Sequence, residues 1–453
     1  MTKRIAVIGS GISGLAAAHG LLRAGCDVEL YSDRTPEQWL NESRPTGTAA
    51  RFDLALAYER ELGLNFWDDV APAGEGVFLT FCPTLRNPLV RLVGRFRRPF
   101  QAVDLRLQSA RWMNELGARG GRVVIEAVSA DRLDAIAAGH DLTIVATGRA
   151  DLCRLFGRDD ARSVHIAPQR KLAMVITTGG PARFDGVPIL PVRFDFLGTD
   201  GEIFFVPYFH KDCGPAWNIL VESKPGSRMD QFGEARSGDE AVAILKRVVA
   251  EMFPWDSPFV RDMRLADPNG WLTGQIVPTV RKPAARMASG RVVAALGDTA
   301  ISYDPIAAQG ANSGIKQARH LVAAVAARGD GALDEQWIAA TFDAFWNDQA
   351  SSAAAFSNLL LEPITAPGKE MLIAQYGSDG RAENASGAQR IANAFVENFA
   401  DPRTLTPAFL DMGSAREVIA SHTGGRWLWN GVRGRASIAR DQVRMKLTNS
   451  VRV

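Results

Sequence analysis

The sequence predicts an α/β fold: a Rossmann-type parallel sheet that binds a dinucleotide, an inserted and mostly antiparallel sheet, and a helical C-terminal region. Three observations carry this reading. Ile5-Ala6-Val7-Ile8 is an unbroken apolar run, as in a strand covered on both faces, and it enters the glycine-rich turn Gly9-Ser10-Gly11-Ile12-Ser13-Gly14. A second motif lies far downstream, Leu296-Gly297-Asp298-Thr299-Ala300, followed by Asp304-Pro305-Ile306-Ala307-Ala308-Gln309-Gly310-Ala311-Asn312. Between the two, residues 172–177, 203–206 and 217–221 are β-rich runs separated by Gly and Pro turns, the pattern of an antiparallel sheet.

The elements follow in order. Residues 15–24 read as a helix closed by Gly25, and residues 28–31 as the next strand, which completes a βαβ unit with the glycines at the strand-to-helix turn. Residues 54–62 and 108–118 are expected to be helical, the second closed by Gly120-Gly121 before a strand at 122–125. Residues 142–146 form a further buried strand that ends in Thr147-Gly148. Residues 292–296 return the chain to the first sheet, and a helix opens at Gly310 and runs to about Arg328. Beyond Leu333 the pattern is mainly helical, and residues 426–453 carry seven Arg or Lys and one Asp, the composition of a solvated helical tail.

Composition narrows the class. The chain has 453 residues, 46% hydrophobic and 23% charged, as in a globular protein with room for two or three domains. A net charge of +2 supplies no field for nucleic acid. The four cysteines, Cys26, Cys82, Cys153 and Cys213, form no Cys-x-x-Cys pair, so neither a metal site nor a disulfide framework is expected. No long apolar run or signal pattern is visible, and a cytoplasmic location without membrane contact is the expectation. The six histidines (His19, His140, His165, His210, His320, His422) show no ligand or nucleophile spacing and are read as structural.

The two glycine motifs together read as an FAD site. Gly9 permits the tight turn, Gly11 lets backbone approach a pyrophosphate, and Gly14 lets helix pack on strand. The helix opening at Ile12 and Ser13 directs unpaired N–H groups at the phosphates. The ribose-binding acid belongs at the end of the second strand, where Tyr31 is followed by Ser32, Asp33 and Arg34. Asp33 is favoured, the alternative being that it forms a turn with Arg34. Asp298 can accept from a ribityl hydroxyl, the alternative being a helix cap. Pro305, Gln309, Gly310, Ala311 and Asn312 then supply the cradle, with the helix start aimed at the flavin N1–O2 edge. Pro305, Gln309 and Asn312 are the catalytic candidates of this cradle. These assignments divide the chain into an FAD-binding domain (1–170 and 275–330), a substrate domain with the antiparallel sheet (171–274), and a helical region with a basic tail (331–453).

These segments resemble the glutathione-reductase-like FAD fold of p-hydroxybenzoate hydroxylase and its relatives. Within that group the chain is most similar to the styrene and indole monooxygenases. Ala102-Val103-Asp104-Leu105-Arg106-Leu107, residues 116–121, residues 126–131 and Ala146-Thr147-Gly148 carry the likeness alongside the two glycine motifs. The resemblance implies an oxygenase component that receives reduced FAD from a separate NAD(P)H-dependent reductase. Dioxygen would add to the flavin as a C4a-(hydro)peroxide, from which one oxygen passes to a small apolar or aromatic substrate by epoxidation or sulfoxidation. It further implies that Arg106 contacts the flavin, that Arg44, Thr48, Thr147 and Gly148 line the cofactor, and that a homodimer is compatible. Single-component hydroxylases carry Asp-Gly where this chain has Thr147-Gly148, which favours the two-component type. The rival readings are a single-component NAD(P)H-dependent hydroxylase and a non-catalytic binding protein of the same fold. Gly47, Ala49 and Arg51 match neither the styrene-type nor the indole-type pattern, and Arg51 either adds charge to the cavity or faces solvent. Phe204, Val206, Tyr208 and Trp217 are candidate cavity walls, with a place in the core as the equal alternative.

Overall fold

The computed structural model describes residues 2–148, 151–381 and 386–450, with side chains as far as Val443. The end of the basic tail therefore lies outside the described residues.

Five parallel strands and one antiparallel edge strand make a six-stranded sheet. Its order is Ala284–Arg286, Val292–Ala295, Leu142–Val145, Arg4–Ile8, Asp27–Ser32, Arg122–Ile125. Arg4–Ile8 lies between Asp27–Ser32 and Leu142–Val145, with Ile8 in register with both Tyr31 and Val145. The strand order reverses around this strand, and in such sheets ligands bind beyond the carboxyl ends at the reversal. Gly9 stands there. Ile5, Ala6, Val7, Leu30, Ile144 and Val145 are each fully buried, as a sheet covered on both faces requires.

A nine-stranded sheet crosses the second layer. It runs Arg264–Leu265, Lys171–Thr178, Gly214–Ser223, Gly201–His210, Pro191–Leu197, Gly74–Cys82, Val90–Ala102, Ala50–Arg51, and Trp271–Gln275 shares the Lys171–Thr178 edge with Arg264–Leu265. Its strands are mostly antiparallel, Gly74–Cys82 and Pro191–Leu197 being the parallel pair. The sheet thus takes three strands from the first 102 residues as well as those from the inserted stretch.

Side-chain alternation divides this sheet into two faces. Phe204, Val206 and Tyr208 share a core with Ile306 and Ala307 of the downstream motif. Ile203, Phe205, Trp217, Ile219 and Val221 belong to the opposite core, under the helix Gly238–Met252. Trp217 pairs with Pro207 across the hairpin, so it shares the odd-numbered face. It packs on Phe184 and Phe259 and donates its Nε1–H to the Pro181 carbonyl at 2.9 Å. It is therefore no wall of a cavity facing the first sheet, a correction that the strand register imposes.

The C-terminal region is helical, and Gly387–Ala400 lies against Val90–Ala102. A Cβ at Gly94 would meet the Ala392 carbonyl oxygen at 2.4 Å, so glycine is what permits this approach. The last helix, Trp427–Ser450, rests on Ala366–Ala374. Among the described residues no helix is long and apolar enough to cross a membrane.

Candidate flavin site

At the end of Arg4–Ile8 the chain turns through Gly9, whose φ of +115° is a conformation that favours glycine. The Gly9 N–H donates to the Tyr31 carbonyl at 2.9 Å. A Cβ on Gly9 would fall 2.5 Å from the Ala146 oxygen, and one on Gly14 would fall 2.1 Å from the Gly9 oxygen. Both glycines are demanded by the protein's own packing. Gly11 differs: a Cβ there would meet nothing within 4 Å. It is the N-cap of helix Ile12–Arg23, which has no side-chain cap and no acidic residue in its first turn. The first amides of that helix are left for a ligand placed on the open ground beside Gly11.

The downstream motif folds against the same spot. Gly297, at φ +61°, donates its N–H to Gln317 Oε1 at 2.9 Å. Cβ atoms at Gly297 and Gly314 would lie 2.7 and 2.1 Å from Ser13 Oγ. Ser13 is thus wedged between the two glycines, which locks helix Ile12–Arg23 to helix Gln309–Arg328. Thr299 donates to the Gly148 carbonyl at 3.4 Å and ties in the third element. Beside Gly9, the Thr147 hydroxyl is buried with no partner. The Asp298 carboxylate borders the second helix, with Oδ1 3.7 Å from where a Gly310 Cβ would stand.

Helix Gln309–Arg328 also starts without a side-chain cap, from Ala308 in the left-handed region at φ +52°. Such a backbone costs about 1 kcal/mol for a non-glycine residue and is held by its surroundings. Asn312 is one of the holders: its Nδ2 donates to the Ala308 and Ala50 carbonyls at 2.7 and 2.8 Å, and its Oδ1 accepts from the Phe52 N–H at 2.9 Å. Gln309 Nε2 donates to Ala307 and Phe399 at 2.7 and 2.9 Å. Both amides act as braces for the helix start. Pro305 opens the short turn Pro305–Ala307, with the Asp304 side chain accepting from the Ile306 N–H.

The remaining sequence candidates fall around this centre. Ser32 is buried, 2.7 Å from the Ser10 hydroxyl and donating to the Arg34 carbonyl. Asp33 is exposed and receives two hydrogen bonds from Arg34, at 2.9 and 2.6 Å. Arg44 stacks over Trp271 at 4.5 Å, and Thr48 donates to Asn218 Oδ1 at 3.2 Å, joining the loop to the large sheet. Gly310 and Ala311 lie half-buried in the first turn of their helix.

Two arginines are placed differently from what the sequence alone conveys. Arg51 neither faces solvent nor stands free at a cavity: it is fully buried and bonded to the Glu59 carboxylate and the Ala49 carbonyl. Arg106 is likewise fully buried. It donates to Asp104 at 2.9 and 2.7 Å and to Asp267 at 3.0 and 2.8 Å, and it lies 3.2 Å from His210 Nε2. Burial pushes Asp267 up, but hydrogen bonds from His210 and Arg106 outweigh it and hold the carboxyl below the usual carboxylate range.

One charged cluster went unread in the sequence. Glu202 and Glu222 face each other across the hairpin, both fully buried, with Asp304 close by. Arg170 pairs with Glu202 at 2.7 Å, while neither oxygen of Glu222 has a hydrogen-bond donor. Burial pushes Glu202 up to about 7, against the pull of Arg170. Burial also raises Glu222 and Asp304, the residue immediately before Pro305. Glu at the even positions of otherwise apolar strands was the available signal.

The arrangement fits a flavin dinucleotide: open ground at Gly11, two uncapped helix starts locked together through Ser13, and an unpartnered Thr147 hydroxyl beside Gly9. The comparisons agree. Residues 148–258 match the family model described as "Styrene monooxygenase A putative substrate binding domain". Over 322 residues the chain is 29% identical to the styrene monooxygenase StyA of a Pseudomonas species, covering 69% of this chain and 74% of that protein. It is 28% identical to StyA of Pseudomonas fluorescens at the same coverage. Among solved structures, a flavoprotein/dehydrogenase from Cytophaga hutchinsonii shares the fold with a TM-score of 0.64 at 11% identity, over 93% of this chain and 100% of that one. The flavin-dependent brominase Bmp2 aligns with a TM-score of 0.61 at 14% identity, over 82% and 90%. The chain is a flavin-dependent monooxygenase, and over about two thirds of its length it is similar to the styrene monooxygenases.

Proposed function

We propose that this enzyme is the oxygenase component of a two-component system. It takes FAD already reduced by a separate NAD(P)H-dependent flavin reductase and, with dioxygen, transfers one oxygen atom to an aromatic alkene, an indole or a related electron-rich small molecule. The observation that carries the reading is the pair of uncapped helix starts, at Gly11 and Ala308, joined through Ser13 beside open ground.

Bound FAD supplies the oxygen-activating chemistry, and the protein supplies binding, orientation and electrostatics. The amides of Ile12, Ser13 and Gly14 hold the pyrophosphate, and Gly11 admits it. Asp298 accepts from the ribityl chain. The start of helix Gln309–Arg328, braced by Asn312 and Gln309, stabilises negative charge on the reduced ring. Phe204 and Val206, sharing a core with Ile306 and Ala307, keep water out. Thr147 standing where single-component hydroxylases carry Asp supports external reduction, and the styrene monooxygenase relatives support the substrate class.

The test is anaerobic mixing of the FAD-loaded enzyme with NADH. The flavin is expected to stay oxidised until a flavin reductase is added. Rapid bleaching by NADH alone, accelerated by substrate, would overturn the two-component reading.

A further inference from the structure

The hairpin joining Gly201–His210 to Gly214–Ser223 turns through Lys211, Asp212 and Cys213. At its base the His210 ring is fully buried, with Nε2 2.7 Å from Asp267 Oδ2. The carboxylate only accepts, so Nε2 carries the proton and Nδ1 presents a lone pair to the turn. Three donors face that lone pair: the N–H groups of Asp212 and Cys213, at 3.2 and 3.4 Å, and Cys213 Sγ at 3.1 Å. Cys213 is exposed, whereas Cys26 is half-buried and Cys82 and Cys153 are buried. An accessible thiol, an imidazole and a carboxylate therefore stand in line, the order of nucleophile, base and orienting acid. The histidine read as merely structural in the sequence has a nucleophile at one nitrogen and an acid at the other.

Asp104 Oδ2 lies 3.9 Å and Asp267 Oδ2 2.7 Å from Nε2, with the Arg106 guanidinium at 3.2 Å; Asp212 is paired with Lys211. Burial pushes the Cys213 thiol up from its ordinary value, so the sulfur needs a base rather than resting as a thiolate.

We propose that Cys213 is a peroxide-reactive thiol with His210 as its base and Asp267 as the residue that positions the base. The thiol proton passes to His210 Nδ1 as the sulfur attacks one oxygen of hydrogen peroxide. The O–O bond breaks, an S–O bond forms, and the departing hydroxide takes the proton from the imidazolium and leaves as water. Sulfur is oxidised by two electrons to the sulfenic acid, and the peroxide is reduced. The thiol chemistry stands by itself. That the peroxide is shed when oxygen transfer at the flavin fails rests on the function proposed above.

The test treats the full chain, without added flavin, with hydrogen peroxide and traps sulfenic acid with dimedone, each cysteine being followed by peptide mass. Cys213 is expected to react about tenfold or more faster than Cys26, and His210→Gln to slow it by about tenfold or more. Equal rates at Cys213 and Cys26, or an unchanged rate in a folded His210→Gln variant, would overturn the proposal. Should that variant fail to fold, Asp267→Asn is the second variant, expected to slow Cys213 in the same direction; an unchanged rate in its folded form would contradict His210 as base. Because no flavin is needed, failure here leaves the oxygenase reading intact, and failure of oxygen transfer leaves this one intact. During turnover with reduced FAD in air, Cys213 labelling that catalase abolishes supports the flavin site as the source. No labelling there overturns that source.

Discussion

Three glycines of one turn have different reasons for being glycine. Gly9 and Gly14 are crowded by backbone, so a Cβ at either collides with the fold itself. Gly11 has extended backbone and open space. Gly11→Val is therefore expected to melt within about 1 kcal/mol of the unaltered protein while losing FAD affinity by about tenfold or more. A melt combined with a flavin titration checks this, and normal binding would remove Gly11 from the pyrophosphate approach. Asp298→Ala, beside Gly310, is expected to weaken FAD binding by about 1–2 kcal/mol without unfolding the chain; unchanged affinity would take Asp298 out of the site. This part of the site was legible in the sequence because glycine spacing records backbone demands directly. Arg51, Arg106 and His210 were not. Their partners Glu59, Asp267 and Cys213 lie 8, 161 and 3 residues away, and sequence alone does not say which of an arginine's neighbours will be buried with it. The His210–Cys213 spacing was visible, but only the hairpin turn brings thiol and ring together.

Elements were legible where the apolar period was clean. The strands near 5–8, 28–31, 142–146 and 292–296, the helix from Gly310 and the three runs of the inserted sheet all appear, their ends shifted by a few residues. Val90–Ala102 carries no clean strand period because Arg91, Arg95, Arg97, Arg98 and Pro99 interrupt its alternation, and Gly74–Cys82 opens on Gly-Glu-Gly, which reads as a turn. Those charges sit at exposed or half-buried positions of a strand that is buried at Leu92, Val93, Phe96 and Phe100. The hairpin carrying Glu202 and Glu222 makes a pH prediction. Burial raises the Glu222 pKa above its unfolded value near about 4.5. The folded state thus holds that proton more tightly, and the stability it confers is present at acid pH and lost as pH rises above the unfolded value. Glu222→Gln removes the titration. The variant is expected to gain about 1–2 kcal/mol relative to the unaltered protein between pH 5 and pH 8. Thermal melts at the two pH values check it, and parallel pH dependences would show that Glu222 is not the strained group.

At the scale of the whole molecule, Ile306 and Ala307 of the downstream motif pack on one face of the large sheet, and the C-terminal helices cover much of that same core. Phe356, Phe395 and Phe399 join Phe204, Val206 and Ile306 in one cluster, and Gln309 reaches the Phe399 carbonyl. The helical region thus helps to build the candidate flavin site. Its last helix is more peripheral: Asn430 donates to the Ala374 carbonyl and the Tyr376 hydroxyl to Asp441, while Leu428, Trp429 and Val432 are exposed. A chain ending before Arg426 is expected to lose about 1–3 kcal/mol of stability and to keep oxygen transfer. Lost transfer in a folded, flavin-binding truncation would give the tail a part in the reaction.

The central claim is that this enzyme performs oxygen transfer with FAD reduced elsewhere. Supplying anaerobically reduced FAD, then isotopically labelled dioxygen and styrene, tests it most directly. Labelled epoxide is expected in proportion to the reduced FAD supplied, and none when NADH replaces it. Label-free product, or equal product from NADH alone, would contradict it.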